Sequence, residues 1–215
     1  MGTTRLLGYM LLRDSTQRKP AMANICIIDG HPDPAPRHLI HALCDAYAEG
    51  AAQEDHTVSR INVASLDFGF LSTPDDFATP PSEPVLSERR KIADADHLLI
   101  AFPLWLGGMP AKLRAFFEQA ARAEFFLAAS DSAHKWPMQM MKGKSARTVI
   151  TMGMPGLVYR FGMDAGALRA LERGVLGLSG FSPLHHTILG GAGEVDEAKF
   201  KRWCTDMRIF GREAV

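Results

Sequence analysis

His97-Leu-Leu-Ile-Ala-Phe-Pro-Leu-Trp-Leu-Gly-Gly-Met-Pro-Ala-Lys-Leu-Arg-Ala-Phe-Phe-Glu118 carries a strand, a loop and a helix in one stretch. His97 to Phe102 is a short apolar run, the mark of a strand buried on both faces. Pro103 and the pair Gly107-Gly108 break it, and Pro110 opens a helix through about Arg122, since proline suits the first helical turn. The unit recurs along the chain. Asn24 to Gly30 is a β-branched run followed by Leu39 to Ala52, where Leu39, Ala42, Leu43, Ala46 and Tyr47 fall at helical spacing. Thr57 to Val63 alternates as a second strand, and Ser87 to Ala95 reads as a helix. Ala146 to Met152 and Leu184 to Leu189 complete the strands, with helices expected at Ala165 to Gly177 and Val195 to Phe210. Asp67 to Pro84 reads as a long Pro- and Asp-rich loop, and Glu124 to Gly143 as an irregular excursion.

Strands alternating with helices imply βαβ units, hence an α/β fold with a parallel sheet covered on both faces. The expected solution is a flavodoxin-like five-stranded sheet of order 2-1-3-4-5. Such sheets bind ligands beyond the carboxyl ends of their strands at the switch point, which here directs attention to the loops after Gly30, Phe102 and Met152.

Composition narrows the function classes. Lys plus Arg and Asp plus Glu each total 24 in 215 residues, giving zero formal charge. That balance argues against a nucleic-acid binder, which needs a basic excess. Hydrophobic residues at 47% and charged residues at 22% exclude global disorder. Cys26, Cys44 and Cys204 are too scattered for a disulfide framework or a cysteine zinc site, so a reducing cytoplasm is the expected location. The longest apolar run, Leu98 to Leu106 interrupted by Pro103, falls well short of the ~20 residues a membrane span needs. Arg5 followed by Leu6 to Leu12, with Ala21-Met22-Ala23 beyond, superficially copies a secretory signal. The short apolar stretch and the charged tract Arg13 to Lys19 favour a poorly ordered extension over residues 1–22, with Met22 as a plausible start, and export as the alternative. Residues 23–215 then form one domain.

Three loops carry the chemistry. His31-Pro32-Asp33-Pro34-Ala35-Pro36-Arg37-His38 leads into the first helix, whose N-terminus presents unpaired N–H groups and about half a positive charge. With Arg37 and His38 as donors it suits an anion; the alternative is a rigid proline turn. In the second loop, Trp105 beside Gly107-Gly108 suits a flat ring approached closely by backbone, unless the tryptophan is simply core. The third, Thr151-Met152-Gly153-Met154-Pro155-Gly156 with Tyr159 beyond, permits another close backbone approach or is an ordinary turn.

Together these loops resemble the flavodoxin-like NAD(P)H:quinone oxidoreductase family of DT-diaphorase type, from about Asn24 to Arg212. The most specific piece is Phe102 to Glu118, where Pro103, Leu104, Trp105, Gly107, Pro110, Leu113 and Glu118 fit the pattern; His31-Pro32-Asp33-Pro34 matches the first-loop motif and Tyr159 the tyrosine spacing. The resemblance implies a flavin, FAD with FMN as alternative, whose phosphate sits by His31, Arg37, His38 and Leu39. Its ring would lie against Pro103, Leu104, Trp105 and Leu106 on one side and Thr151, Met152, Gly153 and Met154 on the other. Tyr159 would face the ring's polar edge as the catalytic residue. It further implies hydride transfer from NAD(P)H to a quinone or similar electrophile, and a homodimer. A related branch, the flavin-binding ancillary subunits of potassium-efflux transporters, is the alternative function. A plain electron carrier is disfavoured by the neutral charge.

The chain departs from the family in places. Pro36, Arg37 and His38 replace the usual serine, aromatic and small polar residue, with Arg37 able to take a hydroxyl's place as a bidentate phosphate partner. Leu127 and Ala129 replace pocket tyrosines. Ala165 and Gly166 stand where a histidine is expected, removing a donor of a kind worth roughly 2–4 kcal/mol in other enzymes. A less quinone-tuned reductase follows. Elsewhere, His185-His186 point to opposite strand faces, so no metal site is expected. His134, Trp136, Met138, Met140 and Met141 suit an apolar wall near the acceptor or plain dimer packing. Asp75 and Asp76 read as solvated, and Cys204 as core.

Overall fold

The computed structural model describes residues 22–130 and 136–215. Residues 1–21 of the N-terminal extension and His134 therefore lie outside the described residues.

Five parallel strands form the sheet: β1 (Asn24–Asp29), β2 (Thr57–Asn62), β3 (His97–Pro103), β6 (Ser145–Met152) and β7 (Leu184–Gly190), in the order β2-β1-β3-β6-β7. The three central strands are buried almost throughout, His97, Arg147, Thr148 and Thr151 included, while β2 and β7 form partly exposed edges. The period-two alternation of side chains divides the core into two layers. Ile25, Ile27, Leu99, Ala101 and Val149 face α1 (Leu39–Ala52) and α6 (Glu197–Glu213). Cys26, Ile28, Leu98, Ile100, Phe102 and Ile150 face the other layer. That layer includes α3 (Val85–Asp94), α4 (Ala111–Ala120) and α5 (Gly166–Leu171).

Several expectations are revised. The stretch 67–84 is not wholly loop, because α2 (Pro74–Ala78) forms within it. Asp76 is not merely solvated: its carboxylate accepts the N–H groups of Ser72 and Thr73, both at 3.1 Å, and these bonds hold it below the usual carboxylate range. The excursion 124–143 contains two short paired strands, β4 (Leu127–Ala128) and β5 (Met138–Gln139). The expected helix over 165–177 begins as α5 and continues as a π-helical turn over Glu172–Gly177. The closing helix starts at Glu197, where the Asp196 carboxylate caps the Lys199 N–H at 2.7 Å, and it runs past Phe210 to Glu213. Cys204 is buried in the α1–α6 layer, as expected of a core residue.

Candidate active site

The strand order brings the ends of β1, β3 and β6 side by side, so the three loops converge on one cleft of about 510 Å³. Its wall holds His31, Arg37, His38 and Leu39 from the first loop, Pro103, Leu104 and Trp105 from the second, and Thr151, Met152 and Gly153 from the third. Ten of the expected site residues therefore share one cavity.

The first loop is built on a buried carboxylate. Asp29, at the end of β1, accepts Arg60 Nη2 at 2.6 Å, His41 Nδ1 at 2.7 Å and the His31 N–H at 3.3 Å. The other nitrogen of His41 lies 3.0 Å from the Asp33 carbonyl oxygen, so both its ring nitrogens face acceptors. His31 Nδ1 lies 3.1 Å from both the N–H and the carbonyl oxygen of Asp33. Burial lowers the pKa of His31, in keeping with a neutral ring. Its ring stacks on His38 at 3.9 Å between centroids and meets the edge of Trp105 at 6.0 Å. Gly30 is required here: a Cβ would come 2.6 Å from Leu113 Cδ2 and 2.9 Å from the Ala101 carbonyl oxygen. No side chain caps α1, and its first turn carries no carboxylate, so the electropositive helix end opens beside Leu39 and Ile40 on the cleft wall.

The second loop is a tight turn. Trp105 and Gly108 exchange two backbone hydrogen bonds of 2.9 Å, and Leu106 and Gly107 take φ of +47° and +76°, the pattern of a type I′ turn. A leucine in that conformation is strained, a feature concentrated at functional sites. The Leu104 N–H donates to the Thr151 carbonyl at 2.8 Å and joins this loop to the third. Trp105 is half exposed and so is not core.

Three expected residues lie elsewhere. Leu106 is fully exposed, turned out of the cleft by its positive φ. Met154 packs against the α3–α5 core layer. Tyr159 is completely buried in that layer, and its hydroxyl oxygen accepts the Leu168 N–H at 3.1 Å, so it braces the start of α5 rather than forming the cleft wall. Tyr159→Phe should lower stability by about 1–2 kcal/mol by leaving that N–H buried and unpaired. A urea midpoint equal to the parent's would refute this bracing role.

A fourth loop, absent from the expectations, also contributes. Ala192 and Gly193 line the cleft after β7, held by the Ala192 N–H on the Met152 carbonyl at 2.8 Å and the Gly191 N–H on the Met154 carbonyl at 3.0 Å. The run Gly190-Gly191-Ala192-Gly193 at a strand's carboxyl end was the available signal. Past Arg37 the cleft adjoins a groove of about 500 Å³ lined by Pro36, Ala42, Val195, Asp196 and Phe200 among others. A separate groove of about 560 Å³ runs along β7 beside Pro155, Leu157, Arg160 and His186. It lacks an aromatic wall, and His186 is engaged there with Glu172 at 3.1 Å.

Known proteins share this architecture. Over 136 residues the chain is 29% identical to FMN-dependent NADH:quinone oxidoreductase 2 of Idiomarina loihiensis, covering 58% of this chain and 54% of that protein. Over 167 residues it is 27% identical to NAD(P)H dehydrogenase (quinone) 1 of Cavia porcellus, covering 71% and 57%. The chain thus spans little more than half the length of the curated relatives it matches. A putative quinone reductase from Klebsiella pneumoniae superposes with a TM-score of 0.75 at 21% identity, over 86% of this chain and 82% of that one, a likeness of fold. A family model described as flavodoxin-like fold matches residues 23–207, and with the sheet order above it shows that the chain belongs to the flavodoxin-like fold family.

Proposed function

We propose that the protein is a flavin-dependent NAD(P)H oxidoreductase that delivers hydride to a quinone or similar electrophile. The observation carrying this reading is a cleft that combines the Trp105 ring and the Gly153 loop with Arg37 and the open N-terminus of α1. The donor set fits the group. Arg37, His38 and the open end of α1 suit a phosphate, and Trp105, Pro103 and Leu104 suit the face of a flat ring. A Cβ on Gly153 would meet nothing within 4 Å, so backbone is accessible beside the ring position. A bound flavin supplies the two-electron chemistry, while these residues bind, orient and shield it.

FAD is the proposed form, with FMN as the alternative. The groove beyond Arg37 offers room for an adenosine end, whereas the Idiomarina relative is named for FMN. A homodimer is proposed, supported by the exposure of the large apolar side chains Trp105, Leu106, Phe161 and Met163. A reducing cytoplasm suits three buried free cysteines.

Purified protein should be yellow, or become so on incubation with FAD or FMN. It should bleach on adding NADH or NADPH anaerobically and recover its colour with a quinone. Mass analysis of the heat-released flavin identifies the cofactor. Protein that stays colourless with both flavins overturns the reading, and protein that binds flavin but does not turn over NAD(P)H with a quinone favours the transporter-subunit alternative.

A further inference from the structure

The first loop is poor in backbone donors. Pro32, Pro34 and Pro36 have no N–H, and the Ala35 N–H is spent on Asp33 Oδ1 at 2.9 Å. The two side-chain donors nearest the start of α1 are engaged as well: His38 Nε2 lies 2.6 Å, and Arg37 Nη2 3.6 Å, from Asp33 Oδ2. One carboxylate thus gathers an amide, an imidazole and a guanidinium, a donor set suited to a phosphate. We infer that Asp33 is an internal counter-anion that competes with the ligand's phosphate for Arg37 and His38 and so sets the cleft's affinity for phosphorylated flavin. The inference rests on the flavin reading above and concerns how that site is tuned.

The surroundings favour competition over support. Asp29, the other carboxylate of this loop, is already matched by Arg60 and His41. Asp33 is the carboxylate that Arg37 and His38 face, so a dianion reaching them meets its like charge at close range. Arg37 is mostly exposed and can turn toward a ligand, while Asp33 stays held by the Ala35 N–H at 2.9 Å.

Asp33→Asn isolates the charge, since the amide oxygen can still accept the Ala35 N–H. Affinities of the flavin-free full chain for FMN and for riboflavin, read by fluorescence quenching, test the inference. The variant should bind FMN about tenfold more tightly, the scale of a like-charge pair largely screened by water, with riboflavin changed less than about twofold. The FMN gain should shrink toward 1 M salt. Unchanged or weaker FMN binding, or equal gains for both flavins, overturns the inference. If the parent binds neither flavin, the flavin reading fails by itself and inorganic phosphate decides about Asp33. A larger phosphate-induced rise in Tm for the variant supports the counter-anion, and an equal or smaller rise overturns it.

Discussion

Between about pH 7 and pH 4 the protein should lose roughly 3 kcal/mol more folding stability than its His97→Gln variant. His97 opens β3 and is 1% exposed. Its Nδ1 lies 2.7 Å from Ser145 Oγ, while Nε2 has no partner among the described residues. Burial, with the positive charge of Arg147 and then His185 and His56 nearby, lowers its pKa from 6.5 to about 3. Tyr47, stacked parallel at 6.3 Å, brings no negative charge, since burial drives its own pKa upward. The sign follows by linkage. Between the folded value near 3 and the unfolded 6.5, the unfolded chain binds the extra proton, so stability rises with pH across that window and falls as acid is added. Above about 6.5 the contribution is complete, and each pH unit below removes about 1.4 kcal/mol until the folded value is reached. Urea unfolding at several pH values measures the slope in both proteins. Parallel stability curves from pH 7 to 4 would show that His97 is charged or hydrated in the folded state.

Such a histidine marks the limit of what the sequence discloses. Strands β1 and β3 were legible because burial on both faces demands apolar runs, β6 because its β-branched residues survive the interruption by Arg147, and α1 was legible to both its ends because its apolar stripe has helical period. Short elements were not. The turn α2 is hidden in Pro- and Asp-rich sequence and depends on one carboxylate, that of Asp76. Strands β4 and β5 have two residues each, too few to show a period. At the site, placement on the right loop was readable, and ten residues do share the cleft. The direction each side chain takes was not, because it depends on single dihedral angles in turns. Leu106 leaves the cleft through a positive φ, and Tyr159 turns inward to a backbone N–H that its neighbours do not announce. Arg37 and His38 were visible as donors, but His41 was not, and the organisation of the loop by Asp29 and Arg60 joins residues distant in sequence.

The same reasoning at backbone level predicts that Gly50→Ala will destabilise the protein by about 3 kcal/mol, against the trend for helices. In an exposed helix interior, alanine for glycine gains about 1 kcal/mol. Here α1 and α6 approach so closely that a Cβ on Gly50 would overlap the Arg208 carbonyl group, far inside van der Waals contact. Reciprocally, one on Gly211 would overlap the Tyr47 carbonyl and lie 2.9 Å from the Ala51 nitrogen. The obstacles are backbone atoms of a regular helix, so no rotamer change relieves them and one helix must move. Movement costs packing, because both helices hold the same core layer: Leu43 and Tyr47 on one side, Trp203 and Met207 on the other. Overpacking of this kind costs about 1–3 kcal/mol, and the upper end applies when the obstruction is main chain. Arg208 lies inside α6, so fraying at the helix end does not help. Gly174→Ala, where a Cβ would meet nothing within 4 Å, is the control and should be neutral or slightly stabilising. Gly50→Ala with a urea midpoint at or above the parent's would mean that α1 and α6 stand further apart than this packing requires. The N-terminus of α1, with Leu39 and Ile40 on the cleft wall, would then also lose its fixed position relative to α6.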